Sequence, residues 1–419
     1  MNRLGNTPSN DIKKDLRQLG LPNDSYPNYS LLKPVQLAPK SAKHFKLALL
    51  VDKYVQETKG RRGATQLEPL KQHWCWILLG LSRVILMNNW LVVSLKTQPY
   101  AKHDPRKNRG LESTYVRSVI DYLHERNLIE LLPGRSSKDT ASSTRIYPKE
   151  ALIGQLLDYS LAIEEPIEGP YLTLSKKNSP WKDTLFSLHE DHPDLADMIA
   201  INEFLKGQQW ACKASVKLIY TPRPFVGGRL YTPFQNLPDH QARIRINTLI
   251  NEKPICEVNF NANHLRMNLA LNAREHAGDT PYEDICEIAG VIPASRVQQF
   301  VTVAMRAKDE KSARYALGLE GFSNAFFTKI HSATLDRYPK LKLFNSGCST
   351  LQSLEGKILK DVMIQGLQQN IVCLPIHDAI AVQQEHKRWA QDVMLDMWAK
   401  HLQGLTTQVT LDLPSTPTQ

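Results

Sequence analysis

The stretch "EVNFNANHLRMNLAL" (Glu257–Leu271) decides how the second half of the chain folds. It continues the apolar run "ICEVNF", which is typical of a buried strand, and its later apolar spacing indicates an amphipathic helix. Polar side chains therefore lie where a strand ends and a helix begins, a common position for a functional site. The residue best placed there to hold a metal ion is Asn259, whose amide carries no charge.

The composition is that of a globular protein with a sizeable core. The chain has 419 residues, of which 42% are hydrophobic and 22% charged, and this length suggests two or three domains. Its net charge of +10 favours an anionic partner, most often nucleic acid, although a basic protein without such a partner fits equally well. The scattered cysteines form no C-x-x-C pair, which disfavours a zinc site and agrees with a reducing cytoplasm.

One apolar run, His73–Leu95, is long enough to suggest a membrane span. Arg83, Asn88 and Asn89 interrupt it, and two adjacent asparagines favour a turn. We therefore expect helix, turn and strand within a domain, and no membrane partner. Residues 1–16 lack the apolar core of a signal peptide.

Composition along the chain predicts an α+β multidomain protein. Pro- and Lys-rich segments without periodicity separate stretches that have helix or strand patterns. The expected parts are a flexible basic arm over 1–42, a first domain over 43–150, a linker over 151–185, a second domain over 186–402 and a loose tail over 403–419.

The run "STYVRSVIDYLHERNLIELLPGRSSKDTASSTRIYP" gives the first domain its pattern. Ser113 can cap a helix whose buried stripe is Val116, Val119, Ile120 and Leu123. A strand, a polar basic loop and a returning strand follow. This order is typical of a winged helix-turn-helix domain.

In helix-turn-helix domains the second helix enters the major groove of DNA, and basic side chains contact phosphates or base edges. The alternative is a winged helix that contacts protein. The predicted DNA-binding residues are Arg106, Lys107, Arg109, Arg117, Arg135, Lys138 and Arg145.

From Asn259 the order Asn-Phe-Asn-Ala-Asn-His-Leu-Arg resembles motif A of the family A DNA polymerases, Asp-Tyr-Ser-x-x-Glu-Leu-Arg. The resemblance places Asn259 on the metal-binding Asp, and His264 and Arg266 on the Glu and the Arg. Further on, "QGLQQNIVCLPIHDAIAV" resembles motif C of that family and of the single-subunit phage RNA polymerases. His377 and Asp378 match its His-Asp pair, whereas the next position is Ala instead of Glu or Ser.

Motif B, the nucleotide-binding helix, should lie between these two, and "PASRVQQFVTVAMRAKDEKSARYALGLEG" has helical character. The resemblance implies that Lys311 binds the triphosphate, with Tyr315 four positions later on the same face. The family's Arg is one position away at Arg306, and its closing Tyr-Gly is absent. An ordinary surface helix is the alternative.

The resemblance covers roughly the last half of the chain and extends to compact mobile-element proteins. In these, "GGRLYTPFQNLP…RIRI…ICEV" (here Gly227–Val258) precedes the palm. The resemblance implies that the C-terminal domain is a polymerase-type palm with helical insertions.

Such a palm uses two divalent ions, magnesium or manganese, held by carboxylates from motifs A and C. Asp378 supplies one carboxylate, and Asn259 stands where the other belongs. Glu257 lies on the same strand face as Asn259, about 6.6 Å along the strand, and is a substitute ligand. Alternatively it pairs with Arg229 or Arg243.

Two functions follow from these patterns. One is a template-directed nucleic-acid polymerase or primase of a plasmid or phage-like element, which binds DNA through the winged helix and primer-template at the palm, and is weakened or silenced at Asn259. The other is a non-catalytic DNA-binding replication initiator or regulator with a degenerate palm. A chance match of the motifs is a third interpretation, and no phosphate-binding loop is present.

Overall fold

A computed structural model describes most of the chain as two units of mixed helices and strands. Of the described residues, those up to Ile167, with Gln209–Ser215 and Pro233–Lys253, form unit 1; the others form unit 2. The described residues are 29–32, 36–37, 42–60, 62–87, 89–93, 111–134, 144–156, 159, 163–175, 185–187, 191–220, 228–237, 243–290 and 293–414.

A helix that is almost entirely apolar from Trp74 to its end forms the core of unit 1. The unit's helices are α1 (Ala42–Thr58), α2 (Ala64–Met87), α3 (Ser113–Glu125) and α4 (Glu150–Leu156). Trp74, Ile77, Leu78 and Leu81 of α2 are fully buried, as expected of a helix that is hydrophobic around most of its circumference.

The apolar run at His73–Leu95 divides as predicted, because α2 ends at Met87 and a strand begins at Trp90. Within the described residues, no helix combines the length and the apolar character that crossing a membrane requires.

The main sheet of unit 1 has four strands in the order β1–β3–β5–β4. Its strands pair antiparallel except for β1 and β3, which are parallel. Two further short strands, β2 and β6, pair with each other. Their bounds are β1 (Tyr29–Leu31), β2 (Gln36–Leu37), β3 (Trp90–Val93), β4 (Ile129–Leu132), β5 (Thr144–Pro148) and β6 (Ile163–Glu164).

Helix α3 has the predicted buried stripe, since Val116, Val119, Ile120 and Leu123 are all fully buried. The predicted cap is wrong, because Ser113 is already the first helical residue. The backbone N–H of Glu112, the residue before the helix, donates instead to a histidine, His73.

His73 of α2 binds the backbone at the start of α3. The N–H of Glu112 donates to its Nε2 at 2.8 Å, so the ring proton lies on Nδ1, 2.6 Å from the carbonyl oxygen of Pro69. Tyr115 and Trp76 flank the ring. A protonated ring would have no lone pair for the Glu112 N–H, so this arrangement requires neutral His73.

We predict that His73 makes the stability of the protein depend on pH. Burial lowers the pKa of His73 below 6.5, although the Pro69 carbonyl and Glu112 act in the opposite direction. As pH falls below 6.5 the unfolded chain binds the proton first, so the free energy of unfolding decreases, by at most about 1.4 kcal/mol per pH unit.

Urea denaturation at pH 7.5 and pH 5.5 measures this loss in the native chain and in His73→Gln. The other histidines contribute equally to both proteins, so the difference isolates His73. Equal losses in the two proteins would contradict the prediction.

Unit 2 contains two sheets. The first has the order β10–β9–β7–β8, in which only β7 and β9 are parallel. Its strands are β7 (Leu172–Ser175), β8 (Leu185–Ser187), β9 (Lys217–Tyr220) and β10 (Arg229–Tyr231). The short strand β11 (Leu249–Ile250) belongs to unit 1.

The second sheet is antiparallel and centres on the strand that the sequence singled out. Strand β12 pairs with β14 along one edge and with β15 along the other, and β13 pairs with β14. The bounds are β12 (Lys253–Phe260), β13 (Leu374–Ile376), β14 (Ala379–Gln383) and β15 (Val409–Asp412).

Eight helices within the described part of the chain complete unit 2. Phe300, Phe327 and Trp398 are among the largest of its fully buried side chains. The helices are α5 (Leu195–Lys206), α6 (Asn263–Ala273), α7 (Pro281–Ala289), α8 (Ala294–Arg306), α9 (Glu310–Leu319), α10 (Asn324–Arg337), α11 (Cys348–Gln368) and α12 (Lys387–His401).

Helix α11 approaches β10 so closely that only glycine fits at the contact. A Cβ atom at Gly356 would lie 2.5 Å from the carbonyl oxygen of Gly228, a backbone atom that cannot turn away. The missing Cβ atom of Gly356 therefore allows α11 to pack this closely against the strand.

Several expected boundaries are wrong. The tail expected to be loose supplies β15, which pairs with β12, and the expected arm supplies β1. The expected linker contains β6 of unit 1 and β7 of unit 2. The expected motif B helix is two helices, because Asp309 starts α9 by accepting the N–H of Ser312 at 2.7 Å.

Candidate active site

Strand β12 and helix α6 meet at a sharp turn. Ala262 adopts φ +48°, a left-handed conformation that is uncommon for a residue with a Cβ atom. Asn259, near the end of β12, is partly buried and pairs with Ala379 on β14 and Thr410 on β15. The turn therefore leaves the Asn259 side chain beside the start of the neighbouring strand.

The β13–β14 hairpin brings Asp378 to the same place. His377 has φ +50°, and the carbonyl oxygen of Asp378 accepts the N–H of Phe260 at 3.2 Å. The residues predicted from motifs A and C, Asn259 and Asp378, thus lie on adjoining chain segments at one end of the sheet.

The Asp378 carboxyl is partly buried and has one acidic and two basic neighbours. Its burial and the neighbouring Glu355 raise the pKa of Asp378 to about 6, while His264 and Arg229 act in the opposite direction. Near neutral pH the group is mostly ionised, as binding a metal cation requires.

Glu355 on α11 is a member of the site that the sequence analysis missed. It is 4% exposed, accepts from Nδ2 of Asn263 at 3.0 Å, and has Oε2 3.0 Å from Nε2 of His264. Trp398 donates to the amide oxygen of Asn263 at 3.2 Å. The available signal was a carboxylate on the buried stripe that includes Leu351 and Ile358.

His264, predicted to bind nucleotide, is instead engaged by two neighbours. Burial lowers its pKa, but the neighbouring Cys348 thiol and the Glu355 carboxylate outweigh burial and raise the pKa of His264 to about 10. The ring is therefore a cation at neutral pH, and its positive charge balances the negative charge of Glu355.

Arg229 of β10 fixes the protonation of His377. A guanidinium nitrogen lies 2.7 Å from Nδ1 of the ring, and arginine can only donate, so Nδ1 accepts and Nε2 carries the proton. His377 is therefore neutral and presents an N–H donor next to Asp378.

Arg266 does not fit the expected nucleotide contact. Its guanidinium is buried and donates to the carbonyl oxygens of Asn261, Ala277, Gly278 and Asp279 at 2.9–3.3 Å. Because these carbonyls occupy its donors, Arg266 holds the loop after α6.

The remaining residues predicted from motif B lie on two different helices. Lys311 and Tyr315 share α9, and Tyr315 is 72% exposed, whereas Arg306 ends α8. Within the described part of the chain, no hydrogen bond or ion pair joins Lys311 or Tyr315 to Asn259 or Asp378.

The site offers oxygen ligands, the type that magnesium and manganese prefer. Asp378 offers a carboxylate and Asn259 an amide oxygen, both hard ligands. Glu257 is on the same face of β12 but is 2% exposed, opposite Ala381 and Asp412. Among the described residues, no three His, Cys, Asp or Glu are grouped to hold a metal ion.

Two of the predicted DNA-binding residues, Arg117 and Arg145, are among the described residues of unit 1, and they differ in exposure. Arg117 is exposed on α3. Arg145 lies on β5, paired with Val92 and Leu132, and is 6% exposed, so little of its side chain is accessible to DNA phosphates or base edges. The other five, Arg106, Lys107, Arg109, Arg135 and Lys138, lie outside the described residues.

A scan against models of known protein families gave no match, and a search of curated proteins found none similar to this chain.

Proposed function

We propose that this protein is a template-directed nucleic-acid polymerase or primase of a plasmid or phage-like element, weakened at Asn259. The observation that carries this proposal is the meeting of Asn259 and Asp378 at one end of the β12–β14 pair. A family A polymerase-like palm has an antiparallel sheet with two metal-ligand positions on adjoining chain segments. We interpret the second sheet of unit 2 as such a palm.

The chain's own residues have separable roles in this proposal. Asp378 and the Asn259 oxygen would hold a divalent cation, which would supply activation of the attacking 3′-oxygen and neutralisation of the triphosphate charge. His377 donates from Nε2 to an oxygen of the substrate. Lys311 and Tyr315, exposed on α9, are the contacts that this proposal assigns to the incoming nucleotide.

The order α3, β4, β5 in unit 1 supports a winged helix that binds double-stranded DNA. The exposed Arg117 lies on α3, which is the second helix of the proposed pair. The net charge of +10 agrees with DNA as the partner.

We expect Arg117→Ala to weaken binding to duplex DNA and to reduce the slope of log affinity against log salt concentration by about 1, because one phosphate contact is lost. Fluorescence anisotropy between 50 and 200 mM salt (about fourfold) measures both. Arg126→Ala is the matched control, since Arg126 is on the same chain segment but stacks on Tyr122 at 5.1 Å. An equal effect of both variants would contradict a specific role for Arg117.

A second function, DNA-binding replication initiator without catalysis, is favoured by Asn259 itself, since a neutral amide cannot replace the charge of a carboxylate. Priming and primer-extension assays with magnesium or manganese separate the two. Extension that Asp378→Ala abolishes supports the polymerase, whereas specific DNA binding without any incorporation supports the initiator.

A further inference from the structure

Helix α3 has a second contact side next to its buried apolar stripe. On this side, Arg62 donates to the hydroxyl oxygen of Ser118 at 3.1 Å, and the hydroxyl of Tyr122 donates to Glu57. Arg62 also donates to the carbonyl oxygen of Thr58 at 2.8 Å. These bonds join α3 to the end of α1 and to the loop after it, so α3 is held on two sides.

The remaining side of α3 is exposed to solvent and includes Thr114, Arg117 and Asp121. These positions follow one another at intervals of three and four residues, so their side chains form one stripe on the helix. Arg117 and Asp121 are about 6 Å apart along the helix axis, close to the length of two base-pair steps. Because an α-helix fits into the major groove of DNA, this stripe is the part of α3 that would meet base edges.

Asp121 is the unexpected member of this stripe. A carboxylate is repelled by DNA phosphates, so it does not contribute to general affinity for DNA. Within the described part of the chain, no hydrogen bond or ion pair reaches the Asp121 carboxylate. In the major groove it can accept from the N4 amino group of cytosine, whereas guanine offers two acceptor atoms that repel it. An acid at this position therefore favours one base and disfavours others.

We propose that Asp121 is a specificity-determining residue that selects cytosine in the major groove, about two base pairs from a guanine that Arg117 binds. Arginine donates to both O6 and N7 of guanine, and aspartate accepts from N4 of cytosine. The partner is therefore a duplex in which these two bases lie at a fixed spacing. The proposal deepens the proposed DNA binding by α3 and rests on it.

Selection from a random duplex library with the full chain tests this assignment. We expect the native protein to enrich a site with cytosine at the position that Asp121 contacts. Asp121→Asn keeps the shape of the side chain but adds a donor, and asparagine pairs with N6 and N7 of adenine. The variant should therefore enrich adenine at that one position and retain guanine at the position that Arg117 contacts.

Fluorescence anisotropy with two duplexes that differ only at this position, cytosine or adenine, measures the size of the effect. The native protein should bind the cytosine duplex about tenfold more tightly, and Asp121→Asn should reverse the preference. Glu125→Gln is the matched control, since Glu125 is also an exposed carboxylate of α3 but lies at its end, away from the first turns that contact bases. Both variants lose one negative charge, so only the preferred base separates them.

The outcomes distinguish this proposal from the proposed function. An unchanged cytosine preference in Asp121→Asn, or the same change of preference in Glu125→Gln, would overturn the role of Asp121. Duplex binding by the native chain without any enriched site would also overturn it and would leave the proposed DNA binding in place. If the native chain bound no duplex even at low salt, the proposed DNA binding would fail, and the role of Asp121 with it.

Discussion

Replacing Asn259 by aspartate should raise the rate of nucleotide incorporation by about 100-fold or more. The substitution is nearly isosteric and gives the site a second carboxylate beside Asp378, on the strand pair that already holds both positions. A metal carboxylate stabilises the transition state by several kcal/mol, and about 1.4 kcal/mol corresponds to a tenfold change in rate. Primer extension with magnesium or manganese measures the gain.

Two controls separate this effect from a general change in charge. Asn324→Asp adds the same negative charge to unit 2 at an exposed position on α10 and should leave incorporation unchanged. The double variant Asn259→Asp with Asp378→Ala should be inactive. If Asn259→Asp were folded and still inactive, unit 2 would have lost more than one ligand, and the initiator function would be preferred.

Replacing Gly356 by alanine should destabilise the protein by about 3 kcal/mol. The new methyl group would lie 2.5 Å from the Gly228 carbonyl oxygen, so α11 and β10 would have to separate. Overpacking of this kind typically costs about 1–3 kcal/mol, and a backbone neighbour places the cost at the upper end. Urea denaturation with matched m-values measures the loss.

Gly318→Ala is the corresponding control, because Gly318 is also inside a helix but no atom lies within 4 Å of its added Cβ. It should stabilise the protein by about 0.5–1 kcal/mol, since alanine favours the helix. A similar loss in both variants would mean that helix propensity, rather than the α11–β10 contact, governs Gly356.

The parts of the fold that depend on local pattern could be predicted from the sequence. The four apolar residues of α3 recur at helical spacing and are all buried. The junction after Phe260 and the hairpin at Asp378 each depend on neighbouring residues, so their positions could be recognised. The approach of Asn259 to Asp378, by contrast, was expected only from the resemblance, because pairing across the chain leaves no local pattern.

Other features depend on contacts between distant residues and could not be predicted. Nothing near Val409 indicates that it pairs with Phe260. In the sequence Glu355 looks like any other carboxylate on a helix. Only the folded structure brings Asn263 and His264 into contact with it. Arg145 belongs to a basic segment, yet β5 lies in the middle of its sheet and buries this side chain. The break before α9, by contrast, does have a local signal, since Asp309 is a good cap.

Strand β15 has a consequence for how the protein is made. Its residues leave the ribosome long after those of β12, the strand it pairs with. Until then β12 has an unpaired edge beside Asn259, and such edges pair readily with other chains. Pairings between distant segments also form slowly during folding. The candidate active site is therefore among the last parts of the protein to form during synthesis, and a nascent chain that stalls before residue 409 has an open sheet edge beside Asn259.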